Sequence, residues 1–195
     1  MKQFKFAVIA TIILAFVLIQ KSNAQNQPTG LYLTTSDYLN HKLSYSTDPA
    51  HPDGIKIFAH QFLEGKTVSV VSSGKKQILE KNKIFGYRDS NSDDFRFYGN
   101  RAYQIMDSTG FFIYRADKLM QQGKGYKPIK VYYFSTKSDS EMLPLTLENI
   151  AITFRENKKF RLMVDAEFKS DFSLAAFDNI SKAFKIKELY SESLK

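Results

Sequence analysis

Between Ile84 and Arg115, apolar and polar residues alternate in short runs broken by clusters of Asn, Asp, Ser and Gly. The runs are Ile84 to Asp89, Phe95 to Tyr98, Arg101 to Asp107 and Phe111 to Arg115. A period of two with turn residues at each break is the pattern of antiparallel strands following one another in a meander. Upstream, Gly30-Leu31-Tyr32-Leu33, Lys42 to Tyr45, Ile55 to Phe58, Thr67 to Val71 and Lys76 to Glu80 read as further strands. Thr35-Ser36-Asp37 opens at most a turn of helix before Tyr38. Downstream, Lys118 to Lys127 with Gly123-Lys124-Gly125 reads as a loop, and Pro128 to Phe134 as the last long strand.

After Ser135 the period changes. Thr146 is placed to cap a helix whose Leu147, Ile150, Ala151 and Phe154 form one stripe, and Asn157 to cap a second with Phe160, Met163, Val164 and Phe168. Phe172, Ala176, Phe177, Ile180 and Phe184 predict a third helix in the Phe172 to Tyr190 region. The expected fold is therefore α+β: a curled antiparallel β-sheet or small β-barrel over about 55–135, followed by C-terminal α-helices over about 146–192. Neither an internal repeat nor a low-complexity linker divides residues 25–195, so a single domain is expected.

The first 24 residues stand apart. Lys2 and Lys5 precede an apolar run from Ala7 to Ile19, and Ser22-Asn23-Ala24 supplies small residues where a signal peptidase cleaves. The run is shorter than the roughly 20 residues of a spanning helix, so export without a retained membrane span is expected, to the periplasm, the cell surface or the medium. The chain has no cysteine, which excludes a lipoprotein anchor and any disulfide. Cohesion then falls to buried apolar surface, and 17 Phe and 11 Tyr are the means. The net charge of +8 falls to about +5 once Lys2, Lys5 and Lys21 leave. That mild excess does not point to a nucleic-acid partner.

Candidate chemistry is sparse. Asp89, Asn91 and Asp93 have the one-three-five oxygen spacing of a calcium loop, but Asp94 stands where that loop needs glycine and Asn100 where it needs a bidentate Glu. A polar hairpin tip explains the same residues. His41, His51 and His60 lack the spacing of a zinc pair. There is no Gly-x-Ser-x-Gly elbow, and Gly123-Lys124-Gly125 lacks the Lys-Ser or Lys-Thr of a phosphate loop. No catalytic residue is assigned and no cofactor is implied. What remains is a mixture of ring and charge: Arg96, Tyr98, Lys130 and Tyr132, expected together on the sheet face opposite Phe95 and Phe97, make the candidate binding set. The alternative is that the C-terminal helices cover that face and make it core.

The Ser22-Asn23-Ala24-Gln25 junction, Ile84 to Asp89, Phe95 to Tyr98, Gly123-Lys124-Gly125 and Leu143 to Asn149 resemble an uncharacterised family of secreted proteins from Bacteroidota-type bacteria. The resemblance implies export and carries over no functional residue. The expected function is a non-catalytic binding module of the envelope, its partner an envelope protein or a glycan. The alternatives are a carboxylate-dependent hydrolase of cell-wall or glycan material and a binder of anionic polymers.

Overall fold

The computed structural model of the protein describes residues 28–47, 56–58 and 65–195. The segment expected to be a signal peptide, residues 1–24, lies outside the described residues, as do His51 and His60.

The expected meander forms. Strands β6 (Gly86–Arg88), β7 (Asp94–Tyr98), β8 (Arg101–Asp107), β9 (Phe112–Gln122), β10 (Gly125–Ser135) and β11 (Leu143–Pro144) lie side by side in chain order, every pair antiparallel. On the far side of β6 the sheet is extended by β1 (Thr29–Tyr32) and then β2 (Tyr45–Thr47). The eight strands do not close: among the described residues β2 and β11 are the outermost strands, so the sheet is open and curled, and the barrel alternative is not realised. Strands β3 (Lys56–Phe58), β4 (Thr67–Ser72) and β5 (Lys75–Glu80) were expected to belong to the same sheet. They form a separate three-stranded one.

Short helix α1 (Thr35–Leu39) follows β1, and the C-terminal part supplies α2 (Leu147–Thr153), α3 (Lys158–Glu167) and α4 (Lys185–Ser193). The two capping residues read from the sequence do cap: Thr146 Oγ1 accepts from the Asn149 N–H at 3.1 Å, and Asn157 Oδ1 from the Phe160 N–H at 2.9 Å. Two expectations fail here. The Phe172 to Tyr190 region is not one helix but a 3-10 turn at Asp171–Ala175, a two-strand ladder of β12 (Phe177–Asp178) and β13 (Ala183–Phe184), and only then α4. The Asp178 carboxylate takes the Ile180 N–H and the Ser181 hydroxyl, and Lys182 adopts a positive φ of 55°, so a turn displaces the helix. Phe172 and Ile180, read as buried stripe, are 92 % and 94 % exposed. Likewise residues 118–127 are not a loop. Gly123 takes a φ of 62° in a two-residue turn that pairs Gln122 with Gly125 and carries β9 and β10 outward as a ribbon.

Both faces of the large sheet are covered, except along the outer β9–β10 ribbon. Direct cross-strand partners share a face, so the ladder places Leu31, Tyr87, Phe95, Gln104, Arg115 and Tyr132 on one side, and Tyr32, Arg96, Tyr103, Tyr114 and Tyr133 on the other. The first side carries two cores. Near β1, β6 and β7 it packs Leu31, Tyr87 and Phe97 against Val68 and Val70 of the small sheet. Near β9 and β10 it packs Phe111, Ile113 and Phe134 against Ile150, Phe160, Val164, Ile186 and Leu189 of the helices. The second side buries Tyr32, Tyr103, Phe112 and Tyr114 beneath Tyr38 of α1, Phe85 and Met142.

Candidate functional site

The register divides the candidate binding set. Arg96 and Tyr98 lie on the Tyr114 side, whereas Lys130 and Tyr132 lie on the opposite side, with Asp117 and Arg115 as their respective cross-strand partners. Tyr132 meets the helical core and makes an edge contact with Phe184, while Lys130 is exposed on the ribbon. Alternation within one strand is local, but the phase between strands depends on register, and the grouping of the four residues on one face is therefore corrected.

Arg96 and Tyr98 remain together. The Arg96 guanidinium lies 5.4 Å from the centre of the Tyr98 ring and 5.7 Å from that of Tyr114. Arg96 is 6 % exposed. Its Nη1 donates to Tyr114 Oη at 3.0 Å and Ser135 Oγ at 3.4 Å, and its Nη2 to the Ser140 carbonyl at 2.8 Å. Tyr114 Oη and Ser135 Oγ are themselves 2.8 Å apart, and Ser135 donates onward to the Lys137 carbonyl at 2.6 Å. Burial raises the Tyr114 pKa, with the Ser135 and Arg96 contacts opposing it. The side chain thus ties β7 to the segment after β10, using neutral acceptors throughout.

Both residues line a cleft of about 480 Å³ built from four segments. Leu33, Thr34 and Thr35 come from the β1–α1 junction, Asn82, Lys83, Ile84 and Phe85 from the approach to β6, and Ser138 and Asp139 from the segment after β10. Each wall is fixed locally. Thr34 caps α1 through a reciprocal pair, its Oγ1 accepting from the Asp37 N–H and its own N–H donating to Asp37 Oδ2, both at 3.0 Å. The Ser44 hydroxyl also donates to that carboxylate, and with Thr34 it holds the Asp37 pKa below the usual range. Tyr98 stands at the end of β7, next to a two-residue turn in which Gly99 and Asn100 both take positive φ, 54° and 67°. Lys83 is held by Glu80 at 2.9 Å, and Asp139 is the one carboxylate among the lining residues. The Thr34-x-x-Asp37 spacing was a legible signal for the first wall; the other loop residues carry no periodicity that sequence reasoning could have used.

The calcium-like spacing resolves into a turn. Asp89 Oδ1 accepts the N–H groups of Asn91 and Asp93, each at 2.9 Å, and its other oxygen receives the Asn91 amide at 3.4 Å. Ser92 takes a φ of 67° between them. The Asp89 carboxylate is occupied with its own backbone, as short polar residues at hairpin tips are. Asp94 has a different part: both its oxygens pair with Arg88, at 2.8 and 2.9 Å. Among the described residues, no group of three or more His, Asp or Glu side chains is placed to hold a metal ion, and no helix is long and apolar enough to cross a membrane. His41 is exposed, with its ring edge-on to Tyr38. No protein family, curated protein or solved structure matches the chain.

Proposed function

We propose that the protein is an exported, non-catalytic binding module of the bacterial envelope that takes its ligand in the Arg96–Tyr98 cleft. The observation that supports this reading is the convergence of those two side chains, cation on ring, on one recess bounded by four segments of the chain. Concave sites with an aromatic wall and a few fixed polar groups are where small ligands and chain ends are held. The hydrolase alternative requires two carboxylates flanking a scissile bond. Asp139 alone lines this cleft, so that pair is not assembled there.

Anionic-polymer binding draws support from a different place. Lys118, Lys124, Lys127 and Lys130 are exposed along the outer β9–β10 ribbon, with Asp117 the only acid among them. It stands as a second reading, separable from the first because it shares no cleft residue.

The test of the leading reading is retention of protein and glycan fractions of the producing cell's envelope on immobilised protein, with and without Tyr98→Ala. Tyr98 is 36 % exposed and anchors no core, so the variant folds normally and loses the captured component. Capture that survives the substitution, or no capture by the unaltered protein, counts against the cleft.

A further inference from the structure

We infer that the cleft receives a sugar acid, with Arg96 gripping its carboxylate through the Nε and Nη2 edge; this rests on the cleft being the binding site proposed above. Every protein partner of Arg96 is neutral: a phenol, a hydroxyl and a carbonyl. No carboxylate among the described residues lies within ion-pair distance of it. A buried charge without a counter-charge is unfavourable, which a bound anion would offset. The same fold shows what an arginine does when an acid is at hand. Arg88, half-buried, pairs through Nε and Nη2 with both oxygens of Asp94.

Arg96 keeps unused donors on the corresponding side. Nη1 is engaged twice and Nη2 once, whereas Nε makes no hydrogen bond among the described residues and is not sealed from solvent. Nε–H and one of the two Nη2–H groups therefore remain without a protein partner, and the Nε–Nη2 side of a guanidinium matches the two coplanar oxygens of a carboxylate. The surrounding charge selects a monoanion. Lys83 is already held by Glu80, and Asp139 on the lining would repel a phosphate dianion.

The rest of the lining points to a polyhydroxylated ligand. Thr34, Thr35, Asn82 and Ser138 offer hydroxyl and amide groups, and the Asn82 side chain makes no hydrogen bond among the described residues. Arg96 stacks on Tyr98, whose remaining exposed surface can take the C–H side of a pyranose. The volume accommodates roughly two sugar rings. Among the described residues, no unpaired strand edge of the large sheet lines the cleft to receive peptide backbone.

The experiment is calorimetric titration of the purified protein with digalacturonate, its dimethyl ester, the matching neutral disaccharide and trialanine. Digalacturonate binds, and the ester and neutral sugar bind at least about tenfold more weakly, the scale of one charge-assisted contact. Arg96→Lys, which keeps the charge and loses the fork, weakens the acid by about tenfold or more. Tyr98→Ala weakens it at an unchanged unfolding midpoint. Should Arg96→Lys fail to fold, the acid and ester titrations of the unaltered protein decide. Equal binding of acid and ester, tighter binding of trialanine, or no uronate binding while envelope capture persists overturns the sugar-acid assignment alone. Loss of both capture and uronate binding removes the cleft reading with it.

Discussion

The Lys187 ammonium on α4 lies 3.4 Å from the Asp107 carboxylate at the end of β8, and 4.0 Å from the centre of the Phe111 ring. It also donates to the Phe111 carbonyl. The pair exists because β8 carries a bulge. Ile105 pairs with Tyr114 but Asp107 with Ile113, so the extra residue, Met106, turns Asp107 out of phase and onto the helical side of the sheet.

Burial pulls the Lys187 pKa down to about 8, with Asp107 opposing the shift, against 10.5 for an unburied lysine. Below the lower value both folded and unfolded chains hold the proton, and the full unfavourable effect of burying the ammonium is present. Between the two values the unfolded chain binds more protons, so the free energy of unfolding rises with pH and levels off above the higher one. Urea titrations from about pH 7 to about pH 10 will show the protein gaining stability relative to Lys187→Met across that window. Parallel curves would mean that Lys187 does not titrate as its surroundings dictate.

Asp94 is the most heavily used carboxylate of the sheet. It accepts from Arg88 Nε and Nη2 and from the Tyr32 hydroxyl at 2.9 Å, and burial, then Asp94, raises the Tyr32 pKa. Removing it leaves a half-buried guanidinium and a buried phenol without their acceptor. Asp94→Ala is expected to cost about 3 kcal/mol in urea unfolding. Arg88→Met with Asp94→Leu is expected to cost less than the two single changes together, since no charge is then stranded. Strict additivity would show that the pair is not coupled.

These contacts mark what was legible in the chain. The strands between Ile84 and Arg115, and the caps at Thr146 and Asn157, follow from neighbouring residues alone, and all of them form. The placement of β1 between β6 and β2, and of β3 to β5 in a sheet of their own, depends on pairings far apart in sequence that no local pattern encodes. So does the phase between strands: Arg96 and Tyr98 could be joined because they sit two apart on one strand, but Lys130 and Tyr132 could not be assigned to their face. Gly123-Lys124-Gly125 reads as a loop and forms a hairpin turn for another reason. Glycine serves a slack loop and a tight hairpin turn equally, and only the unbroken pairing on either side decides.

Two glycines separate close approach from simple permissiveness. A Cβ on Gly86 would stand 1.8 Å from the Phe95 carbonyl oxygen, a backbone atom that cannot swing aside. Gly125, at the start of β10, has nothing within 4 Å and no positive φ. Gly86→Ala is expected to destabilise by about 3 kcal/mol as β6 and β7 are forced apart, while Gly125→Ala stays within about 0.5 kcal/mol of the unaltered protein. Thermal and urea unfolding of both variants checks the contrast, and equal effects would mean that β6 and β7 do not approach as described.

The outer β9–β10 ribbon offers the last separation of readings. Beyond Arg115 and Tyr132, neither strand has a second neighbour among the described residues, so lysines there sit on unpaired edges as well as on open faces. Lysine on a free edge also deters strand-to-strand aggregation, a purpose that needs no ligand. Salt distinguishes the two. Polyanion contact releases counterions, so retention on a heparin-type column should weaken steeply between about 50 and about 200 mM salt, and fall further when Lys118, Lys124, Lys127 and Lys130 are changed to Gln. Changes at these exposed positions should each alter stability by less than about 0.5 kcal/mol, so lost retention would report charge and not unfolding. Retention equal to that of the unaltered protein removes the ribbon as an anion surface. A soluble protein that turns aggregation-prone on the same four changes assigns the lysines to edge protection instead.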